Sequence, residues 1–115
     1  MNNRSFTWPG YNADDPTHRL VTAYLTIDIQ KSPEGVNELL EKIDAVHTGK
    51  LSEWERIGNA YCLRLSSDYA EIEEDFASEP GQSARIPLHV FTAAVLSWRQ
   101  YITASYHNRD HSLKP

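Results

Sequence analysis

The stretch EWERIGNAYCLRLSSDYAEIEEDF, residues 53–76, decides the fold. It divides into three short runs that alternate apolar and polar residues, the period of a half-buried strand. The first is Glu53 to Ile57, with Trp54 pointing inward between Glu53 and Glu55. Gly58-Asn59 follows as a turn pair. The second run sets Tyr61, Leu63 and Leu65 against Cys62, Arg64 and Ser66. Ser67-Asp68 makes the next turn, and the third run sets Ala70, Ile72 and Phe76 against Glu71, Glu73 and Asp75. Two tight turns between alternating runs predict an antiparallel meander.

The third run carries an electrostatic burden. Glu71, Glu73 and Asp75 stand about 7 Å apart on one strand face with no base between them, and like charges so placed repel. Glu53 and Glu55 share that side of the sheet. In a simple meander the middle strand brings Arg64 between the two acidic strands, where cross-strand pairs neutralise part of the ridge. Glu74 falls on the apolar side, which suits a bulge or a sheet edge. Two readings of the ridge stand side by side. It is either a solvated face that keeps the sheet soluble and blunts edge pairing, or a surface on which something cationic docks.

Upstream, Leu20 to Gln30 reads as a strand. Val21, Ala23, Leu25, Ile27 and Ile29 take one face, and Thr22, Tyr24, Thr26, Asp28 and Gln30 the other. That pattern puts Tyr24 on the polar face, near the acids, where an exposed tyrosine suits an interface. Ser32-Pro33-Glu34 then starts a helix with a capping hydroxyl, proline in the first turn and an early acid. Val36, Leu39, Leu40, Ile43 and Val46 give it an apolar stripe, and Gly49 stops it, so it should run over about 33–47. Residues 77–85 read as a loop by composition. Leu88, Phe91, Val95, Trp98 and Ile102 mark a last helix over about 87–104. Residues 1–18 read as an irregular arm pinned by Trp8 or Tyr11, and about 106–115 as a polar, frayed tail. The expected class is α+β: one domain, an antiparallel sheet of about four strands in the order β-α-β-β-β-α, and two helices packed on one face.

At 115 residues the chain is long enough for one compact core without staples. No apolar run approaches the roughly 20 residues that cross a bilayer, and the N-terminus lacks the apolar core of a secretory signal. The single cysteine, Cys62, cannot form an internal disulfide and fits a reducing compartment, so a cytoplasmic protein is expected. From Asp28 to Glu79 there are thirteen acids and five bases, a balance of −8; the remainder has three acids and six bases, or +3. An acidic centre argues against nucleic-acid binding through the body of the domain and favours a basic protein partner.

Catalytic and metal-binding signals are absent. Strand carboxylates are spaced too widely to converge on calcium or magnesium without a loop. His107 and His111 are four apart, permissible for zinc, but two ligands near a terminus are not a site. His18, His47 and His89 lack neighbours that mark them as ligands or bases. No nucleophile elbow and no phosphate-binding glycine loop occurs, and Cys62 reads as a small apolar filler in mid-strand. Neither an enzyme nor a cofactor is expected.

The portion from Leu51 to Ile102 resembles small bacterial immunity proteins, the partners of contact-dependent growth inhibition and other polymorphic toxins. The resemblance rests on Glu53-Trp54-Glu55-Arg56-Ile57-Gly58-Asn59-Ala60-Tyr61, on Glu71-Ile72-Glu73-Glu74-Asp75, and on Ile86-Pro87-Leu88-His89-Val90-Phe91 leading to Trp98-Arg99-Gln100-Tyr101-Ile102. It implies a cytoplasmic inhibitor that binds one cognate toxin domain, often a nuclease with a cationic site, and protects the producing cell. Glu71, Glu73 and Asp75 are the first contact residues expected, with Glu53, Glu55 and Tyr24 behind them. The alternative is a small self-associating or scaffold domain whose acids only solubilise it.

Overall fold

The computed structural model describes residues 6–74 and 83–113, with side chains through residue 104. The elements run α1 (Pro16–Tyr24), a π-helical turn (Leu25–Ile29), α2 (Pro33–His47), β1 (Glu53–Ile57), β2 (Tyr61–Ser66), β3 (Tyr69–Glu74), β4 (Ser83–Pro87) and α3 (Leu88–Leu113). The sheet is an antiparallel meander in the order β1-β2-β3-β4. The α+β class holds, as do α2 and the three strands of the 53–76 stretch as far as Glu74; Phe76, expected on the inner face, lies outside the described residues. Ser32 caps α2 as its sequence asks, accepting a hydrogen bond from the Gly35 N–H at 3.0 Å. Gly49 ends it with φ of 88°.

The segment expected as a first strand is helical. Val21, Leu25 and Ile29 lie four apart, a spacing that satisfies both a period of two and one of 3.6. The residues between them separate the two cases. Tyr24 and Asp28 are buried with that stripe, whereas Ile27, expected inside, is 44% exposed. The start signal is Asp15-Pro16, the same cap-then-proline pair that opens α2; the Asp15 carboxylate accepts from the Thr17 N–H at 2.9 Å. The missing strand is supplied at the other end of the meander. Residues 83–87, expected within a loop and the start of a helix, form β4, with Ala84 and Ile86 paired to Ile72 and Ala70. α3 follows β4 without a connecting loop and continues to Leu113, beyond the end expected near 104.

The helices pack on one side of the sheet. The core there joins Val21, Tyr24, Leu25 and Ile29 to Val36, Leu39 and Val46 of α2. Leu63, Leu65, Ala70 and Ile72 of the sheet complete it with Phe91, Val95 and Trp98 of α3. Phe6 and Trp8 of the N-terminal segment are buried too. Phe6 meets Trp98 edge-on at 5.0 Å, and Trp8 meets Tyr11 edge-on at 4.9 Å, so the arm is anchored by aromatic contacts.

Gln30 ends the π-helical turn with φ of 59° and ψ of −153°, a region that only glycine enters without strain. Its carbonyl accepts the Trp98 indole N–H at 2.8 Å, which holds the turn against α3. Gln30→Gly should therefore raise stability by about 1 kcal/mol, the relief of strain exceeding glycine's entropy cost. A urea midpoint lower than that of the parent chain would show that this backbone carries no strain.

Candidate functional site

With the helices on one side, no described element lies over the opposite face of the sheet. Its side chains follow from the register. Glu55 pairs with Arg64, Arg64 with Glu71, and Glu71 with Arg85, so one row of alternating charge crosses all four strands. The Arg64 guanidinium lies 3.4 Å from Glu55 and 3.7 Å from both Glu71 and Glu73. Arg85 reaches Glu71 at 3.9 Å and stacks 4.3 Å over the Tyr69 ring. Glu53 lies at one end of this face, opposite Ser66, and the row Ile57, Cys62, Glu73, Ser83 lies beyond the charged row.

The expected ridge is thus real in outline and different in detail. Glu71, Glu73, Glu53 and Glu55 do share one face, and Arg64 stands among them as the meander requires. Arg85 joins them from β4, a stretch whose composition reads as a loop. The acids are not all equivalent. Glu71 is held between two arginines and is 19% exposed at its side chain, whereas Glu55 and Glu73 are 49% and 36% exposed. Glu53 makes no ion pair with a described residue. Among the described charges, four glutamates and two arginines leave this face at −2. Asp75 lies outside the described residues. Glu74 points to the core side, opposite Tyr61 at the sheet's end.

Tyr24 does not belong to this surface. It is fully buried on the helical side, because Leu25 and its neighbours form a helix and not a strand. Burial pushes its phenol up to about 12, against a lesser pull from the Arg56 guanidinium. Buried there, Tyr24 is not open to contact by a partner, contrary to the expectation from its sequence.

Cys62 is buried, but on the outer face and outside the hydrophobic core. Its thiol donates to the Glu55 carboxylate at 3.1 Å. Burial, then that hydrogen bond and the charge of Glu55, push the thiol up from 9.0 to about 11. The folded chain therefore keeps a proton that the unfolded chain loses. The resulting stability is complete below pH 9.0 and is lost as the pH rises through 11, at most about 2–3 kcal/mol. Tyr24 adds a similar loss between pH 10.0 and 12. The urea midpoint should fall between pH 9 and 11, and Cys62→Ala should flatten that part of the curve. Parallel curves for the two proteins would remove the thiol as its cause.

A groove lined by Asp44, His47, Asp68 and His89 brings imidazoles and carboxylates near one another. Yet among the described residues the one histidine–carboxylate contact is His18 with Asp15, at 3.6 Å, in the cap of α1. No group of three or more His, Cys, Asp or Glu among the described residues is placed to hold a metal ion. The pair His107 and His111 lies outside the residues whose side chains are described. Among the described residues no helix is long and apolar enough to cross a membrane.

Sequence missed Asp28, which proves to be the main buried polar anchor. It is 8% exposed and accepts from the backbone N–H groups of Ala60 at 2.9 Å and Tyr61 at 3.0 Å, thereby fixing the β1–β2 turn. No protein-family model, curated protein or solved structure gives a significant match to this chain.

Proposed function

We propose that this chain is an immunity protein: a cytoplasmic, non-enzymatic domain that binds one cognate bacterial toxin domain, a basic nuclease, through the uncovered face of its sheet. The observation that carries the reading is the bare four-stranded face, fixed in register, with carboxylates in excess and two arginines set among them. Rows of fixed, alternating charge give specificity and steer a basic partner in, and the arginines reject surfaces that are uniformly cationic. The weight falls on Glu53, Glu55 and Glu73, which are less neutralised than Glu71.

A heterologous partner also fits better than a second copy joined along the free edge of β1. Antiparallel self-pairing centred on residue 55 sets Glu55 against itself. Centring it on residue 54 sets Glu53 against Glu55, and on residue 56 sets Arg56 against itself. Each register brings like charges together, a device that keeps edges apart.

The test is charge reversal. Glu53→Lys with Glu73→Lys should weaken binding to a cognate basic toxin domain by at least about tenfold and lower its salt dependence. Reversal at Glu34 and Glu38 on α2 should leave affinity unchanged. Equal affinity for the Glu53/Glu73 variant and the parent would remove this face from the interface.

A further inference from the structure

Residues opposite one another in an antiparallel pair alternate between those that exchange N–H···O bonds and those that do not. The Gly58 N–H donates to the Tyr61 carbonyl at 2.9 Å, so 58 and 61 form a bonded pair. Counting back through the register, Arg56 with Leu63 and Trp54 with Leu65 are bonded pairs too. Ile57 with Cys62, Glu55 with Arg64 and Glu53 with Ser66 are not. The N–H and C=O groups of residues 53, 55 and 57 therefore point away from β2, along an edge that no described strand pairs with. All three residues are exposed, whereas Trp54 and Arg56 between them are half-buried.

The side chains along this edge say what fits it. Ile57, at 70%, is the most exposed large apolar residue among those described. It shares the open face with Glu53 and Glu55. A strand added to β1 thus meets one apolar side chain and two carboxylates at alternate positions. The other edge of the sheet is different. By the same parity the outward groups of β4 belong to residues 83, 85 and 87. Pro87 has no N–H to give there, and Arg85 sets a base where β1 sets an acid.

We propose that the basic partner adds a segment of its own to β1 as a further antiparallel strand. An apolar side chain of that segment lies beside Ile57, and lysine or arginine lies beside Glu55 and Glu53. Backbone bonds at 53, 55 and 57 give affinity, and the alternating side chains give specificity. The same carboxylates that turn away a second copy accept this strand. The inference rests on the immunity reading for the partner's identity and adds how that partner engages.

The test is a nitrogen-15 NMR titration of the full chain with the synthetic peptide acetyl-Thr-Val-Thr-Lys-Thr-Lys-Thr-amide. Paired antiparallel, it sets valine opposite Ile57 and its lysines opposite Glu55 and Glu53. Saturable shifts should appear at residues 53–57 and not at 83–87. N-methylation of both lysines removes N–H groups that face β1 and should weaken binding at least about tenfold. N-methylation of the threonine between them, whose N–H faces away, should leave affinity within about twofold. Ile57→Pro should lose the peptide, and Ile57→Ala should keep it within about threefold. The proposal is overturned if no saturable shift appears at 53–57, or if the two N-methylations act alike. Equal affinity for a peptide with glutamate in place of both lysines overturns it too. The titration uses no toxin, so its failure removes the edge and leaves the charge-reversal test of the sheet face standing. Failure of that test with peptide pairing intact removes the toxin reading and leaves a strand-accepting edge.

Discussion

Asp28→Ala is expected to cost about 3 kcal/mol of folding free energy, because it leaves two backbone N–H groups beneath the β1–β2 turn without their charged acceptor. The same carboxylate sets the residue at position 58. A Cβ built on Gly58 would collide with the Asp28 side chain. Gly58→Ala alone should thus cost about 2 kcal/mol, as the turn or the carboxylate is forced to shift. In the Asp28→Ala background the obstacle is gone, and the same change should cost well under half as much. Urea unfolding of the four proteins measures this coupling directly. Additive losses would mean that carboxylate and turn do not act on each other.

The second large effect is expected at Trp98. Its ring is 2% exposed, meets Phe6 edge-on and stacks on Tyr101 at 5.1 Å, and its N–H holds the strained carbonyl of Gln30. Trp98→Ala should cost about 4 kcal/mol, joining a cavity to an unmade hydrogen bond. Trp98→Phe keeps most of the packing and should cost about 1–2 kcal/mol, largely from the lost N–H donor. Equilibrium urea denaturation with an unchanged slope checks both values. A loss below about 1 kcal/mol for Trp98→Ala would contradict the central place given to this ring.

Trp98 is legible as a core residue on the stripe of α3, whereas Asp28 lies where the sequence is hardest to read. Asp28 sits in a segment whose main apolar residues are four apart, so a strand and a helix bury the same Val21, Leu25 and Ile29. Only Tyr24, Asp28 and the Asp15-Pro16 cap distinguish the two, and Asp28 is buried for its hydrogen bonds, which no hydropathy pattern reveals. The 53–76 stretch was legible because alternation and turn chemistry agree at every step, and α2 because its cap, stripe and stop agree. β4 was hidden by its short, polar composition and by running into α3 with no turn between. With β4 unseen, Arg85 was missing from the site, and the ridge looked more bare than it is. The face itself needed only the parity of β1, β2 and β3, which is why Glu53, Glu55, Glu71, Glu73 and Arg64 were found together.

The central claim is that the uncovered sheet face is where a basic toxin domain docks. Carbodiimide footprinting of the glutamates, with and without a cognate basic toxin domain, tests it most directly. The account predicts that labelling of Glu53, Glu55 and Glu73 falls in the complex while Glu34, Glu38 and Glu41 on α2 label as before. No complex, or protection confined to the glutamates of α2, would contradict it.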